Sequence, residues 1–348
     1  MTATWRWPEA GWWFADEIGQ IPAEEWSSPL ELVAAPAVSV LMLTYNHCRY
    51  IEQAVASVLA QRSEQPFELL IGDDGSSDGT LELCKQLQSQ YPATIRLITS
   101  ASNVGIPRNF LRVLYRCRAP LVALLEGDDY WIAPSKLQQQ QDLIGANPGY
   151  GMVATATLNR INRLSADGCL QLTDLLRRYP IHTSSLMFRK ELAIPFPRFP
   201  SAAHDSLLIG HLAQRGDCGY LNQEMSYYRR HGDGIWTGAS RQQRLLDTRE
   251  CIGVMEQYFQ GRYRSELVDR EFWCYRLDWQ LTPEDPWGHW HASLLLLWRQ
   301  GPAMVQRSKR FTLGLLLLTV WQLLLLIKAT AAQALPMRSR RLTEAGRW

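Results

Sequence analysis

Near-continuous apolar runs alternate with amphipathic stretches from Pro36 to about Ala156. The runs are Val38–Leu43, Phe67–Ile71, Ile95–Ile98, Leu121–Leu125 and Met152–Ala156. Short runs of this kind suit strands buried on both faces. Between them the apolar positions take helical spacing. Ile51–Gln61 repeats at Ile51, Val55, Val58 and Leu59, and further helices are expected over Thr80–Gln90, Asn109–Cys117 and Pro134–Ala146, the last stopping before Pro148. Strand and helix alternate four times in about 120 residues. That order predicts βαβ crossovers and a mainly parallel sheet with helices on both faces, an α/β fold. After Leu158 the pattern loosens. An apolar stretch at Ser184–Phe188, a helix over His204–Arg215 and a short strand over Tyr227–Arg230 are expected, and from Arg241 the chain reads as helical.

Ligands of such sheets sit beyond the carboxyl ends of the strands. The polar clusters occur there: Thr44-Tyr45-Asn46 after the first strand, Asp73–Gly79 after the second, Asn103-Val-Gly105 after the third and Glu126-Gly-Asp128-Asp129 after the fourth. The three carboxylates of the last cluster repel one another unless a cation or solvent intervenes. At a strand end they offer hard oxygen ligands to Mg²⁺ or Mn²⁺, which in turn bind a diphosphate. The alternative is an acidic, solvated turn. In the second cluster Asp78 or Thr80 suffices to cap the following helix. Asp73 and Asp74 are surplus to capping and suit a ligand's N–H or hydroxyl groups. Neither GxGxxG nor GxxxxGK[ST] occurs, so a dinucleotide or phosphate loop of those types is not expected.

The ordered set Val38-Ser-Val-Leu-Met-Leu-Thr-Tyr-Asn46, Ile71-Gly-Asp-Asp-Gly-Ser-Ser-Asp-Gly-Thr80, Asn103-Val-Gly105 with Arg108-Asn109, and Glu126-Gly-Asp-Asp-Tyr-Trp131 resembles glycosyltransferase family 2 over about Pro36–Trp236. The resemblance implies a GT-A-type, Rossmann-like fold and inverting transfer from a nucleotide-diphosphate sugar, with a divalent cation. It places Thr44, Tyr45, Asn46, Asp73, Asp74 and Asn103 on the donor, with Arg108 near it. Asp128 takes the metal position, assisted by Glu126 or Asp129; Glu126 stands where the family often has Asp. Asp205 takes the general-base position, and His204 replaces an acid usual beside it. A carboxylate suits a base that takes the acceptor proton while positive charge grows on the sugar. The plainer readings of Asp205 are an acid favoured at a helix N-terminus and an HD pair of a metal phosphohydrolase. Tyr228–Trp236 resembles the family's closing loop, with Arg229 and His231 on the donor diphosphate. Thr183-Ser184-Ser185 is expected on the acceptor side.

Charge adds a second region. The chain has 348 residues, a formal net charge of +2 and ordinary globular composition. Residues 291–348 hold nine Lys/Arg and one acid, net +8; the rest is net −6. The overall balance argues against a nucleic-acid binder. Within the basic tail, Phe311–Ile327 is an apolar run of 17 residues, roughly 25 Å as a helix and short for a bilayer core. An in-plane membrane helix, a span and a helix packed on the protein are the three readings. Met1–Glu25 lacks the features of a secretory signal. Trp5, Trp7, Trp12, Trp13 and Trp26 suit either a strap over the domain or an interfacial anchor. Seven widely spaced cysteines without a CxxC suit free thiols in a reducing cytosol.

The expected organisation is a Trp-rich lead over 1–35, a glycosyltransferase domain over 36–240 and a helical C-terminal region over 241–348 with the apolar segment 311–327. The domain divides into a nucleotide-sugar half, 36–131, and an acceptor half, 132–240. The expected function is transfer of a sugar to an acceptor hydroxyl in cell-surface polysaccharide or glycolipid synthesis, at the cytoplasmic face of a membrane. The partners implied are a nucleotide-sugar, a saccharide or lipid-linked acceptor and a membrane surface. The rivals are a nucleotidyltransferase, which needs a Gly-rich basic loop absent after Thr44-Tyr45-Asn46, and a catalytically silent membrane scaffold, against which the acids at 73, 128 and 205 argue.

Overall fold

The structure, a computed structural model, describes residues 11–159, 164–178, 180–199, 204–232, 234, 236–268, 270–271 and 320. The chain divides into two units, Met1–Glu266 and Leu267–Trp348. Nearly all of the second unit lies outside the described residues, and with it the expected apolar segment 311–327. Among the described residues no helix is long and apolar enough to cross a membrane.

The first unit begins its main sheet with β1 (Val38–Thr44), α1 (Ile51–Leu59), β2 (Phe67–Asp73), α2 (Thr80–Gln90), β3 (Ile95–Thr99), α3 (Ile106–Arg116) and β4 (Leu121–Glu126). These match the sequence expectation, except that α3 starts three residues early. Pro107 occupies its first turn, where a missing N–H costs nothing. There follow β5 (Tyr130–Trp131), α4 (Lys136–Ala146), β6 (Tyr150–Leu158), β7 (Met187–Arg189), α5 (His204–Ala213), β8 (Asp217–Tyr227) and α6 (Arg241–Tyr258).

The ten-stranded sheet runs Glu24–Trp26, β3, β2, β1, β4, β7, β6, β8, β5, with Gly168–Leu170 paired beside β8. The strands β3-β2-β1-β4 are parallel. The first crossovers step from β1 out to β3; the chain then returns to the far side of β1. The carboxyl ends of β1 and β4 therefore flank a topological switch point, where a crevice opens. Register levels the strand ends: Thr44 pairs with Asp73, and Leu43 with Glu126.

The sheet is mixed rather than mainly parallel. Strand β7 runs antiparallel between β4 and β6, because it leaves the Thr183–Ser185 turn at the crevice end and can only run downward. Strand β8 is parallel to β6 and ends at the crevice. It also corrects the strand expected at Tyr227–Arg230: the observed strand ends at Tyr227. Polar Asn222, Gln223 and Glu224 hid its periodicity, and its register against β6 shifts around them.

The α1 residues Ile51, Val55 and Val58 pack fully buried on Val40, Met42, Leu69 and Ile71. One ionic group lies at the opposite end of the sheet from the crevice. Glu68, fully buried, accepts from Ser39 Oγ at 2.6 Å, Arg118 N at 2.8 Å, Arg118 Nε at 2.7 Å and Arg96 Nη1 at 3.2 Å. Arg96 Nε also reaches Glu25 at 2.9 Å, which bolts the lead strand Glu24–Trp26 to β3. The lead is tied again where Trp12–Trp13 pairs with Phe196–Pro197, and Arg198 lies 4.2 Å from the Trp13 ring centroid. From residue 11 onward the lead is a strap; Trp5 and Trp7 lie outside the described residues.

Removing Glu68 strands Arg96 and Arg118 with a poorer complement of partners. Glu68→Ala is expected to lower stability by about 3 kcal/mol, the scale for breaking a buried ion pair. Urea unfolding measures it, and a loss below about 1 kcal/mol would mean the group is dispensable.

Candidate active site

On the side of β1 and β2, Asp73 is fully buried. Its Oδ2 accepts from Gly75 N at 3.2 Å, Ser76 N at 3.3 Å and Thr99 Oγ1 at 3.0 Å. Its Oδ1 has no partner, and neither does the buried Thr44 Oγ1. Two sealed acceptors without donors at the end of paired strands are a site awaiting a ligand's N–H or hydroxyl. Asp74 does something else. Its oxygens take Val104 N at 2.8 Å and Gly105 N at 3.0 Å, with the fully buried Arg112 at 3.7 Å. It ties the β3–α3 loop to β2. Gly75 lets these loops touch: its φ is +72°, and a Cβ there would sit 2.9 Å from Asn103 N. Asn46, at φ +57°, accepts from Ser77 N at 2.9 Å. Tyr45 and Asn103 are exposed. Arg108 is exposed and lies 5.9 Å from the Trp13 ring centroid, so it borders the lead.

The acidic motif splits into two environments. Asp128 Oδ2 stands 3.0 Å from His231 Nε2 and 3.8 Å from His47 Nε2. Asp129 is buried, and its Oδ1 accepts from Arg229 N at 2.9 Å. Burial, then the neighbouring Asp128, pushes the Asp129 carboxyl up to about 8. Glu126 is raised well above the usual carboxylate range by burial first, then by Asp129 and Asp205. Burial lowers His47, with Asp128 opposing. Gly127 permits the turn's close approach: a Cβ would lie 2.7 Å from Thr44 Oγ1 and 3.0 Å from His47 Nδ1.

The segment after β8 is pinned on this motif, 100 residues downstream. Besides its amide, Arg229 donates through Nε to the Asp128 carbonyl at 2.7 Å and through Nη2 to Gln53 Oε1 at 2.6 Å. Its guanidinium lies 4.8 Å from the Tyr50 ring centroid and 5.2 Å from that of Tyr130. Asp205 is exposed in the first turn of α5 and close enough to Glu126 to raise its proton affinity. The structure thus brings Glu126, Asp128, Asp129, Asp205, Arg229 and His231 to the crevice, with Thr44 and Asp73 at the levelled strand ends.

Residues 39–194 match the model of glycosyl transferase family 2. This domain belongs to glycosyltransferase family 2. An uncharacterized protein of Mycobacterium tuberculosis is 32% identical over 58% of this chain and 61% of its own length. An uncharacterized glycosyltransferase of a Nostoc species is 32% identical over 56% of this chain and 65% of its own. A Bacillus subtilis protein named for teichuronic acid biosynthesis, TuaG, is 30% identical over 45% of this chain and 63% of its own. The chain therefore spans less than two thirds of the length of these relatives. The solved mannosyltransferase PcManGT of Pyrobaculum calidifontis, in complex with GDP-Man and Mn²⁺, shares the fold. It has a TM-score of 0.53 at 17% identity, and the match covers 91% of each chain.

Within the GT-A-like fold of this domain, two histidines escaped the reading of the sequence. His47 directly follows Thr44-Tyr45-Asn46, and that adjacency was its signal. His182 precedes the buried Thr183–Ser185 turn and stands 3.7 Å from Asp129 Oδ2; a single His before a Ser/Thr pair carries no pattern. The turn is held from behind, where Trp131 Nε1 donates to Ser184 O at 2.8 Å and Gln140 Nε2 to Ser185 O at 2.8 Å. The expected pair at 204–205 divides. His204 is buried, with its ring centroid 5.7 Å from Phe199, stacked, and 4.7 Å from Phe110, edge-on. It is part of the core under α5 and not a second acid beside Asp205.

Burial lowers His204 to about 3. The unfolded chain therefore binds a proton that the folded chain refuses, and stability falls as pH drops from about 6.5 towards 3. His204→Phe should flatten that limb of the thermal-stability profile and leave the region above pH 7 nearly unchanged. An unaltered acid limb would show that His204 does not contribute to it.

Proposed function

We propose that the chain is an inverting glycosyltransferase, moving a sugar from a nucleotide-diphosphate donor to an acceptor hydroxyl in the synthesis of a cell-surface polysaccharide or glycolipid. One observation carries this reading: Arg229 and His231 are pinned on Asp128 and Asp129 from the far end of the domain. A nucleotide-sugar site needs that closure, because the leaving diphosphate must meet fixed donors while the acceptor half supplies a base. The name of TuaG supports the polysaccharide class, and the ligands of PcManGT support the donor class.

The unpartnered Thr44 Oγ1 and Asp73 Oδ1 accept from the nucleoside. Asp205 takes the proton of the acceptor hydroxyl, the oxygen attacks the anomeric carbon, and the bond to the diphosphate breaks on the opposite face. That displacement inverts the configuration. Asp128 Oδ2 and the imidazole nitrogen of His231, 3.0 Å apart, fit a divalent cation, Mg²⁺ or Mn²⁺, under the closing segment. His231 Nδ1 and His47 Nδ1 are buried without partners beside it, so neither ring is committed elsewhere. When bound, such a cation offsets charge on the leaving diphosphate. Arg229 holds the segment in place through contacts already made, and His231 is the side chain left to face the diphosphate.

In a transfer assay with a panel of nucleotide-sugars and Mn²⁺, Asp205→Asn should lower kcat by about 10²- to 10⁴-fold, the scale of a lost general base, with donor affinity nearly unchanged. Asp128→Asn should weaken donor binding in Mn²⁺. Full activity in both variants refutes these roles.

The basic tail with Phe311–Ile327 attaches the enzyme to the cytoplasmic face of a membrane, where lipid-linked acceptors reside. Its net charge of +8 suits anionic headgroups. Deleting residues 291–348 should move the protein from the membrane to the soluble fraction; continued sedimentation with membranes would exclude the tail as the anchor.

A further inference from the structure

A buried amine lies behind the Thr183–Ser185 turn, and nothing in the proposed chemistry uses it. Lys136, the first residue of α4, is fully buried. Among the described residues no carboxylate pairs with it, and burial alone pushes the amine down to about 7. A side chain that only filled this space could be methionine or leucine, with no polar group to desolvate. Lys136 Nζ instead donates to Gln140 Oε1, one helical turn on, at 2.7 Å, and stands 4.2 Å from the Trp131 ring centroid. An ammonium can only donate, so it takes the amide oxygen of Gln140 and leaves Nε2 to face carbonyls. That Nε2 donates to Ser185 O at 2.8 Å and to Val153 O at 3.2 Å. Trp131 Nε1 donates to Ser184 O at 2.8 Å. The two side chains that Lys136 engages are therefore the two that hold the turn. Gln140, Ser184 and Ser185 are fully buried as well, so water cannot take over these bonds.

We propose that Lys136 is a positioning residue for the acceptor side of the reaction, holding the Thr183–Ser185 turn in place through Gln140 and Trp131. The turn stands against the acidic motif. His182, just before it, lies 3.7 Å from Asp129 Oδ2, and its Nδ1 is 2.6 Å from Ser184 Oγ. A shift of the turn therefore moves the groups beside Asp129. Buried hydrogen bonds in a connected chain support one another, so removing the amine loosens both holds at once. These bonds lead to the turn and to β6, not to Thr44 or Asp73. Loss of the amine should disturb the acceptor side and spare the donor side. The role in transfer rests on the glycosyltransferase reading; the hold on the turn does not.

The test uses the full chain carrying Lys136→Met, which keeps an apolar stem and removes the amine, with Gln140→Leu and the double variant beside it. The ¹⁵N imidazole spectrum of His182, identified by the signal lost in His182→Gln, reports on the turn without any substrate. That signal should shift in both single variants, while the signal of His204, in the aromatic core under α5, stays in place. In the transfer assay with the nucleotide-sugar panel, each single variant should raise acceptor KM or lower kcat by about 10- to 100-fold, the scale of a small misplacement. Donor KM should stay within about twofold, and the double variant within about twofold of the worse single one, because the two residues act in one chain. A His182 signal that Lys136→Met leaves unmoved overturns the proposal. So do donor and acceptor constants that worsen together, an additive loss in the double variant, or a Lys136→Met chain that does not fold, since the amine is then a requirement of the core alone. If the wild type transfers no sugar from the panel, the glycosyltransferase reading fails, and the His182 signal still decides whether Lys136 holds the turn.

Discussion

Carboxylates gathered at one edge of one sheet repel one another, and the crevice is built around containing that repulsion. Asp73, Asp74, Glu126, Asp128, Asp129 and Asp205 converge from three chain segments. Each is contained differently. Asp74 is absorbed by backbone amides of the β3–α3 loop and the buried Arg112. Asp73 gives one oxygen to three donors and keeps the other open. Asp128 meets two imidazoles. Glu126 and Asp129 are left with raised proton affinity and unpartnered oxygens. The ones least compensated by the protein are the ones with most to gain from a ligand or a cation.

Topology makes the convergence possible. Four parallel strands in register level Thr44, Asp73 and Glu126 at the switch point. The reversal of β7 then sets the Thr183–Ser185 turn beside β4, and the parallel return of β8 delivers Arg229 and His231 onto the motif. Had β7 been parallel, its preceding turn would lie at the opposite end of the sheet, and His182 could not face Asp129.

Helix α5 is held by parts distant in sequence. Trp12 of the lead has its ring centroid 5.9 Å from His211 of α5, and His211 Nδ1 lies 2.7 Å from the Tyr258 hydroxyl of α6. The lead and α6 thus meet at His211 and at each other, with Trp12 and Tyr258 ring centroids 6.0 Å apart, and together brace the helix that carries Asp205. A strap far from α5 in the chain is a support of α5 in space.

Several features were legible in the residues alone. Apolar runs ending in Thr44, Asp73 and Glu126 mark strand ends, because a buried strand is a run of apolar residues and its end is where polar groups regain solvent. The order of these motifs named the family. Helices α1, α2 and α4 followed from spacing, since helical periodicity is local. Only the tertiary structure decided which acids stay open and which are consumed: Asp73 and Asp74 are neighbours in sequence with opposite fates. It also placed His204 in an aromatic core, set His182 and His47 beside the acids, and reversed β7. These outcomes depend on pairing and packing between segments tens to a hundred residues apart. A single chain's local pattern records what each residue tends to do, not which partner reaches it first.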